Sequence, residues 1–436
     1  MPSGNLSTDA VALSTEADST ASLNEQRRMK LPQELSDMIV DFLHDDRDTL
    51  KACSLVCRAW VPSSHLHLFY AITVHAAAFS DALLQLLRSS AVVSSSIRVL
   101  KVVPSKSAAG HIIAPTAALS VLSCLPALHT LFLHVPIANR ERETPEAPRW
   151  ARSSLRHLEL NLYCGSDWTL QTCTFFSLVT VDHLAVFAHF MDGDYIPHRP
   201  CRKEPFTAWP VKSVDLTAKA NYFYSPASVY LEVFRRGIAR DALKSLKSSF
   251  HLGAASTMAC FREFIGTAGR GLTHLQLDAS CIYNQLQHGE HLLKVYNIRR
   301  LTRNPEWTFL RACESLETLH LMLGTISSLD YNDDGADAAH PIRHAISAFP
   351  SSILEHVAPT LRHLIVEFEQ DTAWSTSFSS WAGNVHWSRL EDALITFPAL
   401  KVVDIRVGGS GDYELERVPM PRLRSAGKLR FAYQDI

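Results

Sequence analysis

The sequence contains no Cys-x-x-Cys pair, no His-Glu-x-x-His, no Gly-x-Ser-x-Gly and no glycine loop closed by Gly-Lys-Ser or Gly-Lys-Thr. These absences remove the usual zinc-ribbon, metalloprotease, serine-hydrolase and phosphate-loop chemistries. Its nine cysteines, an odd number spread from Cys53 to Cys313, outline no disulfide framework; they read as small buried hydrophobes in a reducing compartment. A dominant charge sign is also missing. Lys and Arg number 42 against 44 Asp and Glu, a net charge of -2, which excludes the domain-wide basic excess that gives general phosphate affinity. No window approaches the ~18 to 20 apolar residues of a membrane span, and Met1 to Lys30 has no charged start followed by an apolar run. The expectation is therefore a chain of the cytoplasm or nucleus, with neither nucleic acid nor membrane as its main partner.

What is present begins after a Ser-, Thr- and Ala-rich stretch, residues 1–30, which reads as a disordered tail. From Leu31 to Leu43 the residues Leu31, Leu35, Met38, Ile39, Phe42 and Leu43 recur at three- and four-residue steps, with Gln33, Glu34, Ser36, Asp37 and Asp41 between them. This spacing predicts an amphipathic helix with Pro32 in its first turn. His44 to Asp48 is a polar break with an acidic cap. A second helix is expected over about Thr49 to Val61. It is apolar on two sides, with Leu50, Cys53, Val56, Cys57 and Trp60 on one and Ala52, Leu55 and Ala59 on the other. A third, opened by Ser63 or Ser64, carries Leu66, Leu68, Phe69, Tyr70 and Ile72. Three helices in so short a stretch cannot cover all this apolar surface, which implies another chain or the following domain as partner.

Beyond residue 75 the chain repeats itself. Units of the form L-x-x-L-x-L begin at Ile97, Leu128, Leu155, Val181, Val211, Leu272, Leu316, Leu361 and Leu400, with a weaker copy at Leu243-Leu246. The starts lie 26 to 32 residues apart as far as Leu272 and about 40 to 45 thereafter, the period of a strand-plus-helix unit with insertions. No such unit buries its apolar face alone, so neighbours must stack into one core. The expected fold class is α/β: a small three-helix domain over 31–74, then an irregular α/β solenoid over 75–436 with an acidic insertion near 324–342.

Leu31-Pro32-Gln33-Glu34-Leu35, Ile39 and Phe42-Leu43, followed by Leu55-Val56-Cys57-Arg58-Ala59-Trp60 and Leu68-Phe69, resemble the F-box, in particular its fungal F-box-like variant. The array beyond resembles the leucine-rich-repeat region that follows the F-box in one branch of that family, although it lacks the usual Asn or Cys ladder and its spacing is uneven. The resemblance implies a substrate-recognition subunit of a Skp-cullin-F-box ubiquitin ligase. The F-box would bind the SKP adaptor and through it a cullin; the repeats would bind an unknown protein substrate. Such a subunit is not an enzyme and needs no cofactor. The alternative is a leucine-rich-repeat scaffold that binds the adaptor but acts outside ubiquitin transfer. The adaptor contacts carried over are Leu31, Pro32, Leu35, Ile39, Val56, Cys57 and Trp60, of which Leu35, Ile39 and Val56 are also candidates for holding the three helices together.

Strand alternation gives the second candidate surface. In each unit the fourth and sixth residues point inward, so the third, fifth and seventh face out. Substrate contacts are thus expected at His157, Glu159, His183 and Phe187, then at His274 and Asp278, at His320, and finally at His363, Glu367, Asp404 and Arg406. Ala185 and Ile365 fall on the same outward positions. His157 and His183 are expected to be neighbours, and an ordinary polar surface is favoured over a shared metal. Asp330 to Gly335 imitates the start of a calcium loop, but its twelfth position is Pro341 where a bidentate Glu is required. Gly266 to Gly271 reads as a helix-ending turn and Gly408 to Gly411 as a flexible loop.

Overall fold

The computed structural model describes residues 31–79, 81–105, 113–135, 153–163, 175, 179–189, 208–219, 227–249, 255–279, 304–324, 347–369, 385–408 and 418–434. The expected tail over 1–30, the Asp330 to Gly335 insertion and most of the loop after Gly408 lie outside them. The chain divides into two compact units, Met1–Tyr70 and Ala71–Ile436. The small helical unit thus ends at Tyr70 rather than at residue 74.

The first unit holds α1 (Gln33–Phe42), α2 (Arg47–Val56) and α3 (Val61–Tyr70). Pro32 lies just ahead of α1, and its carbonyl accepts from Leu35 N and Ser36 N at 3.1 Å each. Asp46 caps α2 by accepting from the backbone N–H groups of Asp48 and Thr49 at 3.1 Å and from the Thr49 hydroxyl at 2.6 Å. The hydroxyl bond, foremost, holds the Asp46 carboxyl below its ordinary range. Polar bonds tie the helices together: Gln33 donates to the Ala59 carbonyl at 3.2 Å, Asp37 accepts from the Ser63 hydroxyl, Asp41 accepts from His67 at 2.7 Å, and Arg47 donates to the Leu68 carbonyl at 3.1 Å. The buried residues are few, namely Ser36, Val40, Leu50, Cys53 and Ser64.

The second unit is α/β with a 12-stranded, wholly parallel sheet whose strand order is the chain order. The strands are β1 (Ala71–His75), β2 (Val99–Val103), β3 (Thr130–Leu133), β4 (Ser153–Tyr163), β5 (Val179–His189) and β6 (Ser213–Lys219). They continue as β7 (Ser245–Ser249), β8 (His274–Asp278), β9 (Thr318–Gly324), β10 (His363–Glu369), β11 (Val402–Gly408) and β12 (Leu429–Gln434). Strands β2 to β11 each coincide with one L-x-x-L-x-L unit. Two strands were not expected: Ile72, assigned above to a helix, lies in β1, and β12 has no full motif. Parallel neighbours need crossovers. Among the described residues these include α4 (Asp81–Ser89) and α5 (Ala91–Ser96) before β2, α6 (Pro115–Ser123) before β3, and α7 (Ala227–Gly237) before β7. Further along come α8 (Ala255–Ala268) before β8, a 3-10 segment (Asn304–Ala312) before β9, helical residues 347–354 before β10, α9 (Trp387–Ile395) before β11 and α10 (Pro421–Ser425) before β12.

Register explains the core. The fourth-position residues form one row across the sheet, from Ile72 through Leu100, Leu131, Leu158 and Leu184 to Leu429; those of β2 to β11 are buried. The sixth-position row runs beside it from Val74 to Phe431, and its Ser248, between Leu216 and Leu277, is a buried hydroxyl without a hydrogen-bond partner. Each buried Leu or Val contributes about 1.5–3 kcal/mol. Helical aromatics complete this layer: Trp307 meets Phe349 edge-on at 5.3 Å, and Phe309 meets Phe261 at 5.6 Å. After α8, Gly269–Gly271 forms the expected helix-ending turn. A side chain at Gly271 would come within 2.7 Å of the Asp241 carbonyl oxygen, and Asp241 itself has φ 63°.

Candidate functional site

Two surfaces emerge, one in each unit. In the first, α1 is turned contrary to its composition. The polar stripe of Ser36, Asp37 and Asp41, with Val40, is the side bonded to α3 or buried, while the large apolar stripe faces solvent. Small side chains let helices approach closely, and the three helices close on Val40, Leu50 and Cys53 while most of their bulky residues stay outside. Phe42 is 89% exposed, Leu55 86%, Met38 66% and Val56 65%. Six of the seven residues expected at an adaptor interface, Leu31, Pro32, Leu35, Ile39, Val56 and Cys57, are exposed, and Trp60 is partly buried. Leu35, Ile39 and Val56 thus do not form the small core, which rests on Val40, Leu50 and Cys53. Phe42, Leu55 and Met38, the most exposed apolar residues, were not among the candidates; their place in the apolar period was visible, but their outward aim was not.

In the second unit the outward positions line up in register. The fifth-position row reads Lys101, Phe132, Glu159, Ala185, Asp215 and Lys247 across β2 to β7, then Gln276, His320, Ile365, Asp404 and Arg430. Several of its charged members pair with neighbouring outward residues. Glu159 accepts from His134 Nε2 at 2.7 Å and faces His157 Nε2 at 3.9 Å. His157 stacks on His183 with ring centroids 4.8 Å apart and planes 17° from parallel, as their opposed register requires. Burial and then the charge of His183 push the His157 pKa down, against the pull of Glu159. Farther along, Glu367 accepts from His320 at 2.8 Å, and Asp404 accepts from His363 at 2.8 Å with Arg406 at 3.8 Å. The His320 hydrogen bond is the main cause that lowers the Glu367 pKa.

Of the eleven expected substrate contacts only His274 is exposed; it bonds Thr273 at 2.8 Å. Phe187 and Asp278 are partly buried, in register with Thr217 and Met322 respectively. The remaining eight are partly buried members of the paired groups above. Ala185 and Ile365, on outward positions, are buried, because same-face neighbours ~4.8 Å away on adjacent strands reach over the shorter side chains. His134 and Lys247, which pairs with Asp215 at 3.4 Å, were not among the candidates, although they stand at the seventh and fifth, outward positions of the units starting at Leu128 and Leu243. The stacked imidazoles present faces rather than converging nitrogens, and among the described residues no group of three His, Cys, Asp or Glu is arranged to hold a metal. No described helix is long and apolar enough to cross a membrane. Compared with known proteins, the chain matches no family model and no curated protein sequence.

Proposed function

We propose that this chain is the substrate-recognition subunit of a Skp-cullin-F-box ubiquitin ligase. Its three N-terminal helices act as the F-box that docks on a SKP-type adaptor, and the second unit, read as an irregular leucine-rich-repeat-like solenoid, holds a target protein. The observation that carries this reading is the outward apolar face of α1 and α2: helices that pack on Ser36, Val40 and Leu50 while leaving Phe42, Leu55 and Val56 in solvent are built for a partner. Large apolar and aromatic anchors supply most of the energy of such interfaces. The sequential order of the parallel strands supports the solenoid reading, since each strand pairs only with its chain neighbours.

In this reading the chain works in the cytoplasm or nucleus and contributes no bond-making step. It raises the effective concentration of a target near a charged conjugating enzyme. The test is co-purification of the full chain with adaptor and cullin, followed by ubiquitin transfer to a captured protein. Pro32→Ala with Trp60→Ala should abolish adaptor capture while the sheet stays folded; undiminished capture overturns the docking assignment. Capture without any ubiquitin transfer would favour a scaffold instead.

A further inference from the structure

The second residue of each L-x-x-L-x-L unit forms a separate ladder, independent of the paired face. His129 N donates to Arg98 O at 3.0 Å, Arg156 N to His129 O at 2.8 Å, Lys212 N to Asp182 O at 3.0 Å and Lys244 N to Lys212 O at 2.7 Å. Bonds of 2.8 to 2.9 Å carry it on through Thr273, Glu317, Arg362 and Lys401. Since every strand is parallel, these residues form one line on the N-terminal side of the sheet, which β4 and β5 overrun by three residues. They stand ~4.8 Å apart and reach across about 43 Å from β2 to β11.

This line departs from the near-neutral charge of the chain, whose net charge is -2. Six cations stand on it, Arg98, Arg156, Lys212, Lys244, Arg362 and Lys401, against two carboxylates, Asp182 and Glu317. Asp182 holds Lys212 at 2.9 Å and Glu317 holds Arg362 at 3.7 Å. Arg156, Lys244 and Lys401 are exposed and have no carboxylate partner among the described residues. His129 senses the field: after burial, the charges of Arg156 and Arg98 push its pKa down.

We infer that this line of residues binds an extended, carboxylate-rich segment of a partner protein, with Asp and Glu side chains set against the single cations. A phosphate group favours arginines that converge on it, whereas these cations stand one to a strand. The inference rests on this line alone and is independent of the ubiquitin-ligase reading.

The test uses the full chain and a fluorescein-labelled peptide of alternating Glu and Gly, about 13 residues long to span the line, at about 50 mM salt where screening is weak. Saturable binding is expected, with none for the same peptide carrying Gln for Glu. The triple variant Arg156→Gln, Lys244→Gln, Lys401→Gln should bind about tenfold more weakly, as expected for three exposed charge pairs. Asp182→Asn with Glu317→Gln frees Lys212 and Arg362 and should tighten binding several-fold, a gain that misfolding cannot imitate. Equal binding of the Gln peptide, an unchanged affinity in both variants, or tighter binding of a single-stranded oligonucleotide of equal charge overturns the inference.

Discussion

Replacing Phe42 and Leu55 together by Ser tests the outward turn of α1 and α2 most directly. Both side chains are more than four-fifths exposed, Phe42 at 89% and Leu55 at 86%. Their loss removes almost no burial from the free chain, so the expected stability change stays within about 0.5 kcal/mol. If an adaptor docks on this face as proposed, the same two residues would become buried, each worth about 1.5–3 kcal/mol. The pair therefore contributes about 3–6 kcal/mol to binding, a loss of roughly 10²- to 10⁴-fold in affinity. Leu50→Ala is the counterpart: Leu50 is fully buried, and its truncation should cost about 2–5 kcal/mol of stability. Hydrogen exchange of the amides in 33–70 measures local stability, and titration with purified adaptor measures affinity. The reasoning fails if the Ser pair loses amide protection, which would make the apolar stripe part of the core. It fails equally if the Ser pair binds the adaptor with unchanged affinity.

Three further outcomes follow from the second unit and the cysteines. Ser248→Ala should leave stability unchanged or raise it by up to about 1–3 kcal/mol, because it removes a buried hydroxyl that has no hydrogen-bond partner; urea denaturation checks this, and a marked loss would mean that the hydroxyl is satisfied. His157 has a depressed pKa in the folded chain, so the unfolded chain binds more protons as pH falls below the ordinary His value of 6.5, and stability is lost on the acid side of that value. His157→Gln should therefore flatten the fall in denaturation midpoint between about pH 6.5 and pH 5, and an unchanged pH profile would contradict the burial and His183 repulsion invoked for it. Burial pushes the Cys313 thiol up to about 12 while Cys57 is exposed, so alkylation at neutral pH, read by mass spectrometry, should label Cys57 and spare Cys313. Bound adaptor should then protect Cys57.

Much of the sheet was legible because strand alternation couples sequence to burial directly. Leu at the fourth and sixth positions from Leu100 to Ile405 marks strands wherever both are apolar, and even Leu246 with Ser248 kept enough of the pattern. The two edge strands escaped. Ile72 follows α3 without an intervening turn residue, so it reads as helix, and β12 lacks the leading apolar residue, having Ala426 and Gly427 before Lys428. Edge strands are half covered and need fewer apolar residues to hold them.

Which side chains share a row follows from the two-residue period of a strand and the L-x-x-L-x-L unit, which fix the inward and outward sets. The sequence also carried the apolar stripe of Leu35, Met38, Ile39, Phe42 and Leu55. What those sets meet depends on how the elements pack. Parallel pairing in chain order set His157 against His183 and brought His320 to Glu367 across residues 47 apart. Bonds from Asp37 and Asp41 of α1 to Ser63 and His67 of α3 set the polar stripe inward and left the bulky stripe outside. Periodicity states which residues lie on one face of an element; the energy of packing that element on its neighbours chooses the face that is covered.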